Sequence, residues 1–496
     1  MKKIDFKRIL KITINTTAVA FVAFFASQCF AQSNSGERNS SSLFYKRRIS
    51  TIMDYVHENY VDEVDQKILY EGAVKGLMNS LNDPYTTYLD TEVMRDLTDT
   101  TSGKFGGVGL SISKPNESTA DKPAYVEVAS PIEDSPGAKA GISTGDKITE
   151  IDGLPTESMT MQDVLNHLRG DVGTDVEVTI LRGKNTRWST TLTRALIEVP
   201  TIKSGMIGKI GYMRIIQFTP DTPDRAREAI ASFENAGYTS LIIDLRDNPG
   251  GLISSVSTLA DFFIDEGPIV STKSRDPKNC TSFNATPSAT IVREKPIVVL
   301  INRGSASASE ILSGALKDNH LAYLVGQRTY GKGSVQQVIP FSEYEGIKIT
   351  VARYYTPSDT NIDKVGIPPD EEIAYPNLTE EEEKSFSQMM KDSAIDNIVD
   401  KTPDMSEAQI TDAADQLYGK YKLDKRLLRR LIRIHANKTK PTALFDLDYD
   451  IQLKRAIEII NTTSDFQNLV HSTKTLKELQ QEAEENKAKE EKASAK

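Results

Sequence analysis

The feature that most constrains the fold of this chain is an alternation of strand-like and helix-like segments over residues 199–375. The strand-like segments are short runs of β-branched and other apolar residues, and helix-like segments separate them. Repeated strand–helix units of this kind predict an α/β domain whose sheet is largely buried. The clearest strands are predicted at residues 240–245, 296–302 and 323–325, and the clearest helices at residues 252–264 and 309–316.

Two turns in this domain join a strand to a helix. Residues 304–310 read Gly-Ser-Ala-Ser-Ala-Ser-Glu, and residues 244–251 read Asp-Leu-Arg-Asp-Asn-Pro-Gly-Gly. Free backbone N–H groups at a helix N-terminus stabilise an oxyanion, and paired glycines let another chain approach closely. Helix capping by serine and an ordinary tight turn are the alternatives, although three serines are more than one cap needs. The two turns are therefore able to supply two oxyanion donors from different segments.

A lysine in the same domain lies in residues 326–334, Gly-Gln-Arg-Thr-Tyr-Gly-Lys-Gly-Ser, one residue short of the phosphate-loop pattern. A phosphate loop needs a hydroxyl directly after its lysine and then a helix, but Gly333 follows Lys332 and a strand-like run follows Gly333. Nucleotide binding is therefore the weaker interpretation. Burial in a Gly-Lys-Gly corner lowers the pKa of an amine, which can then take a proton from a hydroxyl. On its own, the corner is more typical of a surface lysine.

Other residue types offer no better catalytic group. Only His320 of the five histidines lies near the two turns, no G-x-S-x-G elbow is present, and Cys280 has no His or Asp close to it in sequence. A serine–lysine pair is therefore favoured over a histidine triad. The formal net charge of −10 argues against a nucleic-acid surface. The sequence predicts no metal ion and no other cofactor.

A chain of 496 residues is expected to hold several domains. Residues 1–31 have a basic start, an apolar run and small residues before Gln32, which is typical of a secretory signal peptide cleaved after Ala31. An uncleaved anchor and lipidation at Cys29 are the alternatives. We predict a linker and N-terminal helical region at 32–101, a β-rich domain at 102–196, the α/β domain at 197–375, and a helical region with a charged tail at 376–496.

These motifs together resemble those of the C-terminal processing peptidases, also called tail-specific proteases. The resemblance extends from about residue 49 to residue 374, and the sequence departs from the family pattern at Asp359-Thr360, where a glycine is commoner. Residues 105–112, Phe-Gly-Gly-Val-Gly-Leu-Ser-Ile, are similar to the carboxylate-binding loop of a PDZ domain. The motifs that carry the resemblance lie at residues 83–89, 244–251, 305–310, 330–337, 355–358 and 366–370.

The resemblance implies a multidomain α+β chain. Its α/β protease domain would be crotonase-like (ClpP/crotonase), with the PDZ domain inserted and helical segments at both ends. Ser307 would be the nucleophile, Lys332 the general base and Gln336 the residue that positions the amine. The backbone N–H donors of the oxyanion hole would come from Ala308 and from either Gly250 or Gly251.

The resemblance also implies roles outside the dyad. A substrate tail would add to a strand edge of the PDZ domain, and its terminal carboxylate would bind backbone N–H groups of the preceding loop. Arg169 matches an arginine that links the PDZ domain to the active site in some members, and Glu310 and Asp318 match residues with supporting roles. The residues of the PDZ loop are Gly107, Val108, Gly109 and Leu110.

The predicted function is an exported serine endopeptidase of the cell envelope or periplasm, membrane-anchored if the signal is retained. Its partners would be proteins with unstructured C-terminal tails, and no nucleic acid. The terminal helices indicate self-association as a homo-oligomer, and an adaptor protein is a further expected partner. The competing hypothesis is a non-catalytic PDZ adaptor with a degenerate protease domain, which the intact set of Ser307, Lys332 and Gln336 disfavours.

Overall fold

The computed structural model describes residues 38–494, with gaps at 116–117, 119–122, 133, 184, 376–377, 403–404 and 438–442. The predicted signal peptide and Cys29 lie outside the described residues. The chain divides into two compact units, Met1–Tyr88 and Leu89–Lys496. Among the helices that the structure describes, none is both long and apolar enough to cross a membrane.

In the described part of the first unit, residues 38–88, the structure has two helices, as the sequence predicts for this region. The second helix begins after Asp65, whose carboxylate accepts a hydrogen bond from the Lys67 N–H at 2.8 Å and so caps the helix N-terminus. A short strand follows at the boundary between the units. These elements are α1 (Arg38–Asn59), α2 (Gln66–Asn79) and β1 (Thr87–Leu89).

The second unit opens with a helix and then forms the predicted β-rich domain. The strand at 175–182 is half-buried, because Val176, Val178 and Ile180 are buried and alternate with exposed residues at its start. The elements are α3 (Thr91–Ser102), β2 (Lys104–Gly107), β3 (Leu110–Ser113), β4 (Val126–Pro131), α4 (Pro136–Lys139), β5 (Lys147–Ile151), β6 (Leu154–Pro155), α5 (Met161–Leu168), β7 (Asp175–Arg182), β8 (Thr186–Thr193) and β9 (Ala195–Glu198).

The β-rich domain is built on one antiparallel sheet with the strand order β3-β4-β5-β7-β8. Its core packs α5 against the sheet through Val164 and Leu168. Strands β2 and β9 pair with each other and form a two-stranded stem that joins this domain to the α/β domain. Because β3 lies at one end of the strand order, its outer edge is open to an added strand.

The α/β domain follows, with strands and helices at the predicted positions. Its helices are α6 (Thr222–Asn235), α7 (Ile253–Ala260) and α8 (Ala308–Asp318). Its strands are β10 (Ile202–Ile207), β11 (Ile210–Ile215), β12 (Ser240–Asp244), β13 (Pro268–Ser274), β14 (Thr281–Asn284), β15 (Ile297–Ile301), β16 (Tyr323–Gly326), β17 (Ser334–Pro340), β18 (Gly346–Tyr355) and β19 (Glu371–Glu372).

Two sheets position the site. The central sheet has the order β10-β11-β12-β15-β16-β19 and is parallel apart from the β10–β11 pair. The second sheet is antiparallel, and within it β17 pairs with β18, β18 with β13, and β13 with β14. The turns predicted to hold the nucleophile and the oxyanion donors follow β15 and β12, which are neighbours, so both turns lie at the same edge of the central sheet.

Side chains from the central sheet alternate between two apolar cores. Ile243 and Val299 pack with α6, α7 and α8 on one face, whereas Ile242 and Val298 point to the other face. That second face is covered by residues beyond position 450, namely Leu453 and its neighbours. The packing of the α/β domain therefore crosses the boundary that the sequence predicts at residue 375.

The described C-terminal region is helical, as predicted, and its helices fall into three groups. Four helices form a core of their own, α9 (Glu380–Lys391), α10 (Ala394–Val399), α11 (Glu407–Tyr421) and α12 (Lys425–Ala436). The next two helices, α13 (Ile451–Thr462) and α14 (Phe466–His471), cover the second face of the central sheet. The last helix, α15 (Leu476–Ser494), contributes Leu476 to the core of the first face.

Candidate active site

The turn before α8 holds its central serine in an unusual backbone conformation. Ser307 lies at the N-cap position of α8, with φ +54° and ψ −113°. Residues other than glycine rarely adopt such angles, which cost about 1–3 kcal/mol and are concentrated at functional sites. The Ser307 carbonyl accepts hydrogen bonds from the N–H groups of Glu310 (2.8 Å) and Ile311 (3.0 Å), so the helix begins directly after the serine.

The three serines of the turn have different environments. Ser305 is fully buried, and its hydroxyl donates to the Leu245 carbonyl at 2.8 Å. Ser309 is also fully buried, and its hydroxyl donates to the Asn248 carbonyl at 3.0 Å. Ser307, by contrast, is only half-buried. Two of the serines thus fix the turn to the neighbouring segment, and the third is the one that solvent or a substrate can reach.

The lysine lies in a corner between β16 and β17 rather than on a strand. Gly331 has a φ of +89°, and a Cβ atom there would lie 3.0 Å from the backbone nitrogens of Val365 and Gly366. A Cβ atom at Gly333 would lie 2.5 Å from the Asp363 backbone nitrogen. Both glycines are therefore required where the corner packs against residues 363–366.

Glu310 joins the serine turn to the lysine corner. Its carboxylate is fully buried, and one oxygen accepts hydrogen bonds from the backbone N–H groups of Ser307 (2.8 Å) and Lys332 (2.9 Å). The other oxygen accepts from the Gly331 N–H (2.7 Å) and the Thr329 hydroxyl (2.6 Å). Burial raises the pKa of Glu310, while these four donors act in the opposite direction. One side chain thus sets the position of the serine turn relative to the lysine corner.

The environment of Lys332 lowers the pKa of its amine. The side chain is half-buried, and burial lowers the pKa of its amine below the ordinary value for lysine. The ammonium of Lys348, on β18, lowers the pKa of Lys332 further, and the Glu310 carboxylate acts in the opposite direction. An amine with a lowered pKa is suited to accept a proton from a serine hydroxyl.

The glycine turn after β12 lies against the serine. A Cβ atom on Gly250 would lie 2.8 Å from the Ser307 Cβ and 2.9 Å from the Ala308 backbone nitrogen. The Gly250 N–H donates to the Asn248 side chain at 2.8 Å, so it is occupied. For the N–H groups of Gly251 and Ala308 we find no acceptor among the described residues. Of the two glycines that the sequence left open, Gly251 is therefore the one whose N–H remains available.

The turn residue Asn248 was not singled out from the sequence. It is fully buried, and its carbonyl accepts from the Ala306 N–H (3.0 Å) as well as from the Ser309 hydroxyl. Its side-chain Nδ2 donates to the Ile215 carbonyl at 2.9 Å. One asparagine therefore orients both the glycine turn and the residues on either side of Ser307. Its position inside the 244–251 motif was the available signal.

Gln336 lies on β17, next to an irregularity in the β17–β18 pairing. Its amide nitrogen donates to the Ser334 hydroxyl at 2.9 Å and to the Thr350 hydroxyl at 3.2 Å. These contacts fix the Gln336 side chain on the sheet that carries Lys348. The predicted role of Gln336 in positioning the Lys332 amine stays a prediction.

Two other predicted residues lie away from the serine. Asp318 is at the far end of α8, about 15 Å along the helix at 1.5 Å per residue. There its carboxylate accepts from the N–H groups of Ser358 (3.1 Å) and Leu476 (2.8 Å).

The Arg169 guanidinium lies 2.5 Å from the Asp96 carboxylate and 3.5 Å from that of Asp99, both on α3. The structure thus pairs Arg169 with α3 rather than with the dyad.

The loop before β3 has the polarity that carboxylate binding needs. The carbonyls of Val108 and Gly109 accept hydrogen bonds from Gly137 and Ile132, respectively, at 2.9 and 2.8 Å. For the N–H groups of Val108 and Gly109, the described residues provide no acceptor. The loop ends at Leu110, the first residue of the edge strand β3. Free N–H groups next to an open strand edge form a site for the end of a peptide.

In this fold, a serine turn at a helix N-terminus and a lysine corner are joined by the carboxylate of Glu310. Residues 209–373 match the model of peptidase family S41, residues 127–182 that of a PDZ domain, and residues 20–93 that of the activating protease CtpB N-terminal domain.

Two relatives found by sequence agree with these matches. The carboxy-terminal-processing protease of Bartonella bacilliformis is 38% identical over 72% of this chain and 82% of its own length. The chloroplastic carboxyl-terminal-processing peptidase 2 of Arabidopsis thaliana is 38% identical over 64% of this chain and 63% of its own. Among solved structures, a photosystem II D1 C-terminal processing protease aligns at 29% identity over 67% of this chain and 86% of that chain, with a TM-score of 0.41.

The chain belongs to peptidase family S41, and among its members it is a C-terminal processing protease with a PDZ domain. It is therefore a serine-type peptidase, as the sequence predicts. The roles of individual residues are not addressed by these matches and stay predictions.

Proposed function

We propose that the chain is an exported serine endopeptidase that captures unstructured protein C-termini with its PDZ domain and cleaves them with a Ser307–Lys332 dyad. The observation that carries this proposal is the shared oxygen of Glu310. Because one atom accepts from the backbone N–H groups of both residues, the serine turn and the lysine corner meet at a fixed distance. The half-buried serine and the lowered pKa of Lys332 support the same assignment.

The chemistry follows from these positions. The neutral Lys332 amine takes the proton from the Ser307 hydroxyl while the Ser307 oxygen bonds to the carbonyl carbon of the scissile peptide. The oxyanion that forms accepts hydrogen bonds from the N–H groups of Ala308 and Gly251. Lys332 then gives the proton to the leaving amine as the C–N bond breaks. A water molecule, deprotonated in the same way, releases the acyl group from Ser307.

The PDZ domain would select the substrate. The terminal carboxylate would bind the N–H groups of the loop Gly107–Leu110, and the preceding residues would extend the sheet at β3. Blocking that carboxylate as an amide should raise KM and leave kcat unchanged. The comparison uses two substrates that differ only in this group. Equal KM values for both would contradict capture by the loop.

The decisive test is cleavage of a folded reporter that carries an apolar, disordered C-terminal tail. Ser307→Ala and Lys332→Ala should each reduce kcat by at least about 10³-fold, because the two residues act as one catalytic unit and the loss of either one disables it. Lys332→Arg is the matched control for charge. Arginine remains protonated, so this variant should be equally inactive although it keeps the positive charge.

Two results would redirect the proposal. If Ser307→Ala cleaves the reporter as fast as the parent, the dyad is wrong. If the parent binds the tail in calorimetry but never cleaves it, the chain is a PDZ adaptor instead.

Two wider parts of the proposal concern architecture and location. A mostly parallel sheet with helices on both faces supports assigning the α/β domain to the crotonase-like (ClpP/crotonase) class.

The N-terminal sequence supports export by a signal peptide. Self-association and an adaptor protein are further proposals. N-terminal sequencing of the protein purified from its own cells should give Gln32 as the first residue. A start at Met1 would indicate that the signal is retained.

A further inference from the structure

An ion-pair network joins the C-terminal region to the turn that carries the oxyanion glycines. Arg246 follows β12, and its guanidinium donates to Asp450 with both terminal nitrogens, at 2.8 Å to Oδ1 and 2.7 Å to Oδ2. The same guanidinium donates through Nε to Asp244 at 2.9 Å. Asp450 is the N-cap residue of α13, more than two hundred positions along the chain. A planar, bidentate pair of this kind fixes direction as well as distance.

The network is buried, and its polar groups are satisfied. Asp244 is fully buried, and the side chains of Arg246 and Asp450 are 11% and 15% exposed. The Tyr212 hydroxyl donates to Asp244 at 2.7 Å, and the Tyr375 hydroxyl donates to Asp450 at 3.1 Å. Buried charges are costly unless they are paired in good geometry, so loss of one partner leaves the other strongly destabilised.

Charge reinforces this geometry. Burial opposes ionisation of Asp450, but hydrogen bonds from Arg246 hold the pKa of this carboxyl below its ordinary value. Asp450 is therefore ionised at neutral pH and Arg246 is protonated, so the pair is a true ion pair. Screening by salt is weak for a pair that is this little exposed.

Arg246 is placed to transmit this constraint to the active site. It is two residues before Asn248, whose carbonyl binds the segment on either side of Ser307, and four before Gly250. The intervening Asp247 has a φ of +60°, so the chain turns sharply here. Because the guanidinium is held on one side by Asp244 and on the other by Asp450, the start of the glycine turn cannot shift without breaking the network.

We propose that Asp450 is a positioning residue of the active site, which acts through Arg246 to fix the turn that presents the Gly251 N–H to the substrate. The C-terminal region thus takes part in catalysis without touching the substrate. This inference rests on the proposed Ser307–Lys332 chemistry, and it assigns to α13 a role beyond covering the sheet.

The test compares Asp450→Asn with Arg455→Gln in the full-length protein. Arg455 also ties α13 to the central sheet, through an ion pair with Glu371 at 2.7 Å, but this pair is more exposed and lies away from the glycine turn. We expect Asp450→Asn to lower kcat by about tenfold or more with KM unchanged, because small displacements of catalytic donors have effects of this size. Arg455→Gln should keep the parent kcat. Asp450→Glu, which restores the charge, should recover part of the loss.

A purely structural role for Asp450 predicts a different result. The melting temperature would fall, yet kcat, measured well below that temperature, would equal that of the parent, and this outcome would overturn the proposal. If Asp450→Asn fails to fold, Tyr375→Phe is the second variant, because it removes only the hydroxyl that donates to Asp450. We expect a smaller loss of kcat for Tyr375→Phe. A kcat equal to that of the parent would again overturn the proposal. A parent protein without any activity would instead refute the proposed function.

Discussion

The two sides of the active site are built differently. On the serine side, Ser305, Ser309 and Asn248 are fully buried and held by hydrogen bonds to neighbouring backbone. On the lysine side, the corner leads into β17, whose last four residues are exposed. Burial and backbone hydrogen bonding resist local opening, so the serine side is expected to be the more rigid of the two. The proposed nucleophile is thus fixed by the core, whereas the corner that carries the proposed base is tied to the serine turn by the side chain of Glu310.

Replacing that residue should affect both sides at once and have the largest effect. Glu310→Gln turns one carboxylate oxygen into an NH₂ group that faces N–H donors, and each donor left unsatisfied costs about 1–3 kcal/mol. We expect kcat to fall by about 10³-fold, which corresponds to about 4 kcal/mol, together with a lower melting temperature.

The matched control is Glu382→Gln. Glu382 occupies the same position in α9 and accepts from the Thr379 N–H at 2.8 Å, but it is only half-buried and lies outside the α/β domain. Activity of Glu310→Gln as high as that of this control would show that Glu310 does not hold the two sides together.

A second change acts on the serine side alone. In Gly250→Ala, the new methyl group would lie 2.7 Å from the Ala306 carbonyl oxygen and 2.8 Å from the Ser307 Cβ. The serine turn must move, and a displacement of this kind reduces kcat by about 10²-fold. Gly237→Ala is the control, because Gly237 also has a positive φ, +68°, but has open space around it. Similar kcat values for the two variants would mean that the loss of kcat comes from backbone strain and not from contact with Ser307.

A third change acts on the lysine side alone and should have the smallest effect. The Lys348 ammonium lowers the pKa of Lys332, so Lys348→Gln should raise it. Because the neutral amine is the proposed active form, the rise of kcat/KM with pH should shift to higher pH, with little change at the plateau. Arg353→Gln, which removes a positive charge from the same strand, is the control and should shift the profile less. A shift to lower pH in Lys348→Gln would contradict the assignment.

Local sequence predicted the elements that hold the site but not every contact inside it. Strand and helix positions followed from periodicity, and the serine turn and the Gly-Lys-Gly corner followed from their composition. The sequence did not predict which of the two glycines, Gly250 or Gly251, has an available N–H group. The answer depends on the direction of the Asn248 side chain, which accepts from the Gly250 N–H. At Asp359, where the family pattern has a glycine, the φ of +61° shows that aspartate adopts the turn that glycine otherwise provides.

Contacts between distant segments were beyond the reach of sequence patterns. Nothing near Arg246 indicates that its partner is Asp450, because ion pairs between distant segments leave no local periodicity. Asp318 shows the opposite case. It is close to Ser307 in sequence, but the length of α8 carries it away from the site, where it binds the start of α15 instead.

The cover that α13 and α14 place over the central sheet has a consequence for how the protein is made. Ribosomes synthesise the chain from its N-terminus, so Ser307 and Lys332 are complete well before residues 451–470. Until those residues appear, one apolar face of the sheet, including Ile242, Val298 and Leu300, has no helix to cover it. A nascent chain that already contains the proposed catalytic residues therefore still lacks a closed core. Synthesis of α13 and α14 therefore determines when the core of this protease is complete.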